Sequence, residues 1–421
     1  MLPPEGHQGL GWITVSGDNA LDARDNLKHA LSHIHYKVLR FDEESAMGKT
    51  QRRSRLSVAT INKKMLLSAS RIEKVRHSID TSPKKLHIGI AGNSRSASLT
   101  QPYFDTIRDT LNLRGYRVSI FDFADLSHAF NELKRSTVEL VINAYDGNDA
   151  FGLFKPQIVA LLELLEIPFV GSGSLTLALC QDKIRMKKLF DYHQLPTPKW
   201  DYAYSFQDTI SEELRYPLIV KPGETDTPFA ISQNSVVKNN TELDREMKQI
   251  LSVLQQPVLV EEYIEGDEYD VTILGNDTYG MQVLPLSRSV FSKFPKGQWK
   301  IYSYDASGKI SKHKIVVQTP PRGINPKLEA LITEIALDGY NTLHCNDYGR
   351  VELRVDADDN PYIIRVSANP PLAPDASIVQ VAQIIGMDYG DLLEKIILNA
   401  VEWYRNRSPQ YQLTAKSFNN L

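Results

Sequence analysis

Tyr348-Gly349-Arg350-Val351-Glu352-Leu353-Arg354-Val355-Asp356-Ala357-Asp358-Asp359-Asn360-Pro361-Tyr362-Ile363-Ile364-Arg365-Val366-Ser367-Ala368-Asn369-Pro370-Pro371-Leu372 is the stretch on which the reading of this chain turns. Apolar and polar residues alternate over 350–356 and again over 361–367, and Ala357-Asp358-Asp359-Asn360 between them is turn chemistry. Alternation on both sides of an Asp/Asn cluster predicts a β-hairpin. With Asp356 facing Pro361, Glu352 falls opposite Arg365 and Arg350 opposite Ser367. Strand side chains point to one face at every second position, so these four share a face. Such a face is either a solvated ladder of ion pairs or the floor of a polar site. The pattern of the hairpin alone slightly favours the ladder.

The rest of the chain sets limits. Its 421 residues suit two to four domains or one multi-lobed enzyme. Hydrophobic residues make up 42% and charged residues 24%, which places it among soluble globular proteins. A net charge of −3 gives no global pull towards nucleic acid or membrane. The two cysteines, Cys180 and Cys345, lie far apart in sequence and match no metal spacing, so a disulfide framework is not expected and a reducing cytosol fits. No apolar run approaches the ~20 residues that span a bilayer. Met1-Leu2-Pro3-Pro4-Glu5-Gly6-His7 does not read as a secretory signal. The expected location is therefore cytoplasmic, with no membrane partner.

Residues 10–40 read as strand, helix and strand, too little to bury a core alone. Residues 42–85 are basic, with Arg52, Arg53, Arg55, Lys63, Lys64, Arg71, Lys74, Arg76, Lys84 and Lys85. A solvated linker helix is the expectation there, and a nucleic-acid contact the less favoured one, since no aromatics are interleaved. From Leu86 strands and helices alternate: Leu86–Gly92, Pro102–Arg114, Tyr116–Phe121, Leu126–Lys134, Glu139–Asn143, Gln157–Leu165 and Ile167–Gly171. That order predicts a parallel sheet covered on both faces. Gly89-x-x-Gly92 lacks a third glycine in register and is not a dinucleotide fingerprint. Pro196-Thr197-Pro198 looks like a domain boundary. Tyr216–Pro222 is an apolar strand delivering Lys221, and Val258 to Glu268 is a strand running into an acidic segment. Tyr269–Leu274 and Tyr279–Leu286 read as strands around a Gly275-Asn276-Asp277 turn. Residues 291–314 read as a long polar loop of the kind that covers sites. Pro326–Thr342 and Gly390–Trp403 read as helices.

Taken together, Val170-Gly171-Ser172-Gly173, Asp182-Lys183, Leu195–Pro198, Val220-Lys221-Pro222, Leu259–Ile264 with Glu268, Asp347–Glu352 and Asn369-Pro370 resemble an ATP-grasp ligase of the D-alanine–D-alanine ligase type. The resemblance runs from about 86 to 405. It implies an α/β and α+β chain with the ATP-grasp fold, an N-terminal parallel-sheet lobe (86–180), a central lobe (181–275) and a C-terminal lobe (276–405). An N-terminal extension (1–40), a basic linker (41–85) and a tail (406–421) complete the organisation. The 10–40 piece itself resembles the C-terminal strand and helix of some ATP-grasp ligases such as glycinamide-ribotide synthetase; an accessory αβ piece is the alternative.

The resemblance also implies roles. Lys183 and Lys221 match two phosphate-facing lysines, a use to which a fixed ammonium is suited. Glu261, Glu262, Tyr263 and Ile264 match the hinge that reads the adenine edge, largely through main-chain groups. Glu268 matches the carboxylate that accepts the ribose hydroxyls. Arg350 matches an arginine that steadies the transferring phosphoryl group, and Glu352 matches the first metal carboxylate. Implied ligands are ATP and a small amino-acid-like substrate, with a homodimer as a possible assembly.

The chain departs from the family pattern at several of these places. Gly223-Glu224-Thr225-Asp226-Thr227-Pro228-Phe229-Ala230 stands where a glycine- and serine-rich loop closes over the triphosphate. Glycines let backbone amides approach phosphate oxygens, whereas Pro228 has no amide and Glu224 and Asp226 repel phosphate. Asn93–Ser98 carries no acid for a substrate ammonium, Ser96 falling nearest. Tyr304-Asp305-Ala306 fits the lid, but Ser307 replaces a lysine, with Lys309 two residues later. Most telling, Arg365 stands where the family has a glutamate, and Ser367 where it has an asparagine. Those two with Glu352 would hold two Mg²⁺ ions, which want oxygen ligands. An arginine offers none and brings positive charge instead, so bound Mg is doubtful and a Glu352–Arg365 cross-strand ion pair is expected. Two readings follow: a working ligase that joins a carboxylate to an amine through an acyl phosphate, or an impaired pseudo-ligase acting as a regulatory or partner protein.

Overall fold

The computed structural model describes residues 63–95, 103–146, 154–225, 231–276, 280–291, 297–302 and 315–406, with Asn26, His29, Ala30 and His33 from the N-terminal segment. The expectations for residues 10–40, for Ser96, for 226–230 and for 303–314 lie outside those residues. All elements below belong to one compact unit, Lys63–Tyr411.

The chain enters through helix α1 (Lys63–Thr81) and reaches a four-stranded parallel sheet ordered β2-β1-β3-β4. Its strands are β1 (His87–Gly92), β2 (Arg117–Asp122), β3 (Leu140–Asn143) and β4 (Phe169–Val170), with α2 (Phe104–Leu113), α3 (Leu126–Arg135) and α4 (Lys155–Leu164) between them. Every residue of β1 and β3 is buried, as a sheet covered on both faces requires. Gly92 is needed for close packing: a Cβ there would lie 2.5 Å from the Phe104 ring.

The expectation of a solvated linker helix fails for α1. Its Val75 is fully buried in the cluster formed with Ile396, Ile397, Ala400 and Val401 of α10 (Tyr389–Asn406), and burying one such side chain is worth about 1.5–3 kcal/mol. Two of its cations also find partners in the body of the protein, Arg71 as a buried side chain and Lys74 as an exposed one. Arg71 donates to the Ser136 carbonyl at 2.8 Å, and Lys74 pairs with Glu139 at 2.6 Å. Composition showed the charges but not that the connection from α3 to β3 supplies partners for them.

Helices α5 (Ser174–Gln181) and α6 (Lys183–Tyr192) lead into a second sheet, antiparallel and ordered β5-β8-β6-β7. It comprises β5 (Trp200–Ala203), β6 (Leu218–Pro222), β7 (Val236–Val237) and β8 (Val258–Glu262), with α7 (Asn240–Gln249) across it. A third sheet runs β12-β11-β9-β13-β14, with β10 on β9. Its strands are β9 (Asp267–Asn276), β10 (Gly280–Val283), β11 (Ser287–Val290), β12 (Val316–Gln318), β13 (Tyr348–Val355) and β14 (Pro361–Ser367). Helix α8 (Pro326–Thr342) buries Ile332, Ala336 and Tyr340 in the same core as Val351, Leu353, Ile363 and Val366. Helix α9 (Ser377–Ile384) follows the hairpin. No helix among the described residues is long and apolar enough to cross a membrane.

The predicted hairpin is present, with one change of register. Asp356 Oδ1 accepts the N–H groups of Asp358 and Asn360, and Asp359 takes a left-handed φ of 62°, so the turn is built as its Asx chemistry suggests. Pro361, however, faces Val355 rather than Asp356. A bulge in β14 then leaves Ile364 unpaired and restores the expected pairs Glu352–Arg365 and Arg350–Ser367. A bulge re-aims the residues around it. Ile363 goes to the core, while Ile364 and Arg365 both line the cleft described next. The backbone freed at the bulge is bonded elsewhere: Ile363 N–H donates to the Pro196 carbonyl at 2.8 Å, and its carbonyl accepts from the Thr197 hydroxyl at 2.9 Å.

Candidate functional site

Between the second and third sheets lies a cavity of about 400 Å³. Lys183, Lys221, Glu261, Glu262, Tyr263, Ile264, Glu268, Arg350 and Glu352 all line it. The positions singled out from sequence therefore converge on one cleft, although they come from α6, β6, β8, β9, β13 and the β8–β9 connection. One end is apolar, with Ile219, Ile231, Ile264 and Ile301. The other end is the hairpin floor.

The apolar end is braced by two charge clusters, one buried and one joining a buried arginine to a partly exposed carboxylate. Lys187 is 0% exposed and Glu261 1%. Glu261 pairs with Lys187 through one oxygen and with Lys221 through the other, the second contact at 2.6 Å. Burial pushes the Glu261 carboxyl up, but the two ammonium groups outweigh it and hold the carboxyl down at about 2. Lys187 also reaches Thr197, next to the bulge. Sequence reading missed Lys187, yet it follows Lys183 by one helical turn, and residues four apart share a helix face.

The second brace is Arg354, also missed. It donates to Glu268 Oε1 from Nε at 3.0 Å and from Nη2 at 2.7 Å, and to the Ile264 carbonyl from Nη1 at 2.7 Å. It reaches the Lys300 carbonyl as well, and its guanidinium lies 5.1 Å from the centre of the Tyr263 ring. One side chain thus ties the hinge, the carboxylate at 268 and the Lys300 backbone. The signal was available, since Arg354 shares the parity of Arg350 and Glu352. The hinge backbone is partly committed too: Tyr263 N–H donates to the Pro217 carbonyl at 2.9 Å.

The two lysines expected to face phosphate have protein partners. Lys221 holds Glu261. Lys183 Nζ donates to the Pro222 carbonyl at 3.1 Å, the Thr225 carbonyl at 2.8 Å and the Thr225 hydroxyl at 2.5 Å. It therefore ties Pro222 to Thr225.

The hairpin floor carries a mixed charge cluster. Arg350 contacts Glu352 directly, donates to the Ser377 hydroxyl at 3.0 Å and places Nε 3.6 Å from Asp270. Arg365 approaches Glu352 at 3.8 Å. The expected cross-strand pair exists, but Glu352's tighter partner is Arg350, two residues along its own strand. Asp270 went unrecognised in the sequence. It sits opposite Glu352 across β9 and β13, and burial pushes its carboxyl up to about 6, Arg350 pulling it back and Glu352 adding to the rise. Ser367 takes no part in the floor. It is buried, 4% exposed, against a void of about 10 Å³ shared with Lys155, Cys180 and Asn369.

An antiparallel small sheet facing a larger one across a cleft, with a hinge after β8 and a charged hairpin floor, defines the ATP-grasp class. The family described as "D-ala D-ala ligase C-terminus" matches residues 165–398. The chain is 30% identical over 330 residues to a D-alanine–D-alanine ligase of Carboxydothermus hydrogenoformans, spanning 76% of this chain and 98% of that one. It superposes on the Bacillus anthracis D-alanine–D-alanine ligase complexed with ATP with a TM-score of 0.58 at 21% identity, covering 76% of this chain and 99% of that one. For the VanG D-Ala:D-Ser ligase of Enterococcus faecalis the TM-score is 0.60 at 21% identity, covering 75% and 99%. The chain belongs to the D-alanine–D-alanine ligase family.

The fold family implies magnesium at the hairpin floor, and the residues present do not fit a pair of ions. Arg365 projects where a carboxylate would be needed, Ser367 faces a separate void, and both arginines lie on Glu352 Oε1. A divalent ion about 4 Å from a guanidinium meets a repulsion of about 8 kcal/mol at an effective dielectric of about 20, twice the figure for unit charges. Among the described residues no group of three or more His, Cys, Asp or Glu could hold a metal ion.

Proposed function

We propose that this protein binds an adenine nucleotide in the cleft and has little or no ligase turnover. In this reading the apolar end takes the adenine against the hinge 261–264, Glu268 accepts the ribose hydroxyls, and Lys183 and Lys221 stand towards the phosphates. Arg350 is placed to steady a transferring phosphoryl group. The single observation that carries the reading is Arg365 lying against Glu352 at 3.8 Å. Phosphoryl transfer rests on positioned charge and metal, and fold alone does not establish activity. The reaction open to a working relative of this class is carboxylate–amine ligation through an acyl phosphate. The well-braced hinge end and the altered floor favour a pseudo-ligase that serves as a regulatory or partner protein.

The test has two parts. Calorimetric titration with ATP and ADP should show binding that Glu268→Ala weakens. ADP release should then be followed with D- and L-amino acids and 2-hydroxy acids in the presence of Mg²⁺, and no member of the panel should stimulate it. Clear stimulation in the unmodified protein would replace this reading by that of a working, divergent ligase.

A further inference from the structure

Resting on the nucleotide-binding reading above, we infer that the cleft takes the nucleotide as its metal-free polyanion, with Arg350 and Arg365 meeting the phosphates where the fold family implies cations.

Three observations carry this. First, among the described residues the ionisable groups at and beside the floor are matched in sign. Arg354 answers Glu268 at 2.7 Å, leaving Asp270 and Glu352 against Arg350 and Arg365. A divalent ion placed among them would add charge beside two guanidiniums, whereas added phosphate oxygens would gain from both. Second, the two arginines differ in how they are held. Arg350 is fixed by Glu352, Ser377 and Asp270. Arg365 makes a longer contact with Glu352, 3.8 Å, from a strand locally re-aimed by the bulge. Its side chain is 15% exposed and lines the cleft, so phosphate oxygens seated there would meet its guanidinium. Third, the guanidinium fork matches phosphate oxygens bidentately, and both arginines line the same cavity as the hinge. A nucleotide seated there would extend its phosphates towards them.

The consequence is an inverted dependence on magnesium. Chelation by Mg²⁺ removes two negative charges from the nucleotide and occupies the oxygens that the guanidiniums would bind. ATP and ADP should therefore bind at least as tightly in EDTA as in excess MgCl₂. Arg365→Glu should weaken binding in EDTA by about 10- to 100-fold, the loss of a charge-assisted hydrogen bond, and should make binding tighter with Mg²⁺ than without. Arg365→Lys, which keeps the charge and is the milder change for folding, should keep the native order of the two conditions. Circular dichroism of each variant shows whether it is folded.

Calorimetry of the full chain with ATP, ADP and adenosine, each in EDTA and in MgCl₂, decides the matter. Nucleotide binding that requires Mg²⁺ in the native protein would overturn the inference and leave the nucleotide reading standing. So would an Arg365→Glu variant whose affinity in EDTA is unchanged. Absence of binding in both conditions would overturn the nucleotide reading, and this inference with it.

Discussion

The two ends of the cleft are built on neighbouring strands, yet their charges are arranged to different ends. At the hinge, Glu261 is buried between Lys187 and Lys221, and the buried Arg354 holds both the partly exposed Glu268 and the Ile264 carbonyl. At the hairpin floor the groups are partly exposed, and one contact, Arg365 to Glu352, is as long as 3.8 Å. The hinge end has the form of a preorganised recognition site, in which rigid partners keep main-chain groups in place. The floor has the form of a site whose carboxylates are already answered by arginines. Binding at one end therefore does not imply chemistry at the other.

The largest expected effect breaks the hinge end itself. Glu261→Gln leaves Lys187 and Lys221 buried without their anion. Breaking a buried ion pair by removing one partner costs about 3–5 kcal/mol, which urea titration would read as a lower midpoint with an unchanged slope. A loss below about 1 kcal/mol would mean that the lysines find other partners, and that the hinge is less rigid than described.

Next in size is Arg354→Ala. It strips Glu268 and the Ile264 carbonyl of their shared donor, so affinity for adenosine should fall by about 10- to 100-fold, as for lost hydrogen bonds to a charged group. Unchanged adenosine affinity in a folded variant would detach the hinge from recognition and remove one side of the comparison.

A smaller effect comes from outside the cleft. Asp347, fully inside the core, accepts the Gly171 N–H at 2.7 Å and the Asn276 amide at 3.0 Å. Burial pushes its carboxyl from the usual 3.8 up to about 7, the two hydrogen bonds pulling it back. The charged or polar neighbours facing it, Asn276, Tyr340 and Tyr348, carry no charge at neutral pH. Because the folded value lies above the unfolded one, the folded state binds more protons between them, and stability contributed by the neutral carboxyl is lost as pH rises through that window. The slope is at most about 1.4 kcal/mol per pH unit. Asp347→Asn should flatten it in urea titrations between pH 4.5 and pH 7, and an unaltered slope would assign the dependence to another group.

The smallest effect concerns the floor. A double-mutant cycle on Glu352→Gln and Arg365→Gln should give a coupling of only about 0.2–1 kcal/mol, the range for cross-strand charge pairs. A coupling of about 3 kcal/mol or more would show a tightly locked floor, closer to the hinge end in character.

Much of this was legible in the sequence because it rests on local pattern. Alternation and an Asp-rich turn located the hairpin, and the order of short motifs brought Lys183, Lys221, Glu261–Ile264, Glu268, Arg350 and Glu352 to one cleft. What escaped depends on partners distant in the chain. Lys187 reads as an ordinary helix lysine until Glu261 faces it, and Asp270 as a strand residue until Glu352 lies opposite. The bulge was hidden because Ile363 and Ile364 are alike, so alternation could not say which one turns inward. The α1 helix looked solvated because its charges are visible in the sequence, whereas the α10 surface that buries Val75 is more than 300 residues away. Cys180 and Cys345, far apart in sequence, meet as free buried thiols in one core cluster.

The central claim is that the floor, with Arg365 on it and Ser367 turned away from it, serves binding rather than catalysis. ADP formation in the presence of Mg²⁺ and an amino-acid panel, measured side by side for the native protein and the double variant Arg365→Glu, Ser367→Asn, tests it most directly. The account predicts no stimulated ADP formation by the native protein and a measurable gain in the variant. Substrate-stimulated turnover in the native protein, equal to or above that of the variant, would contradict it.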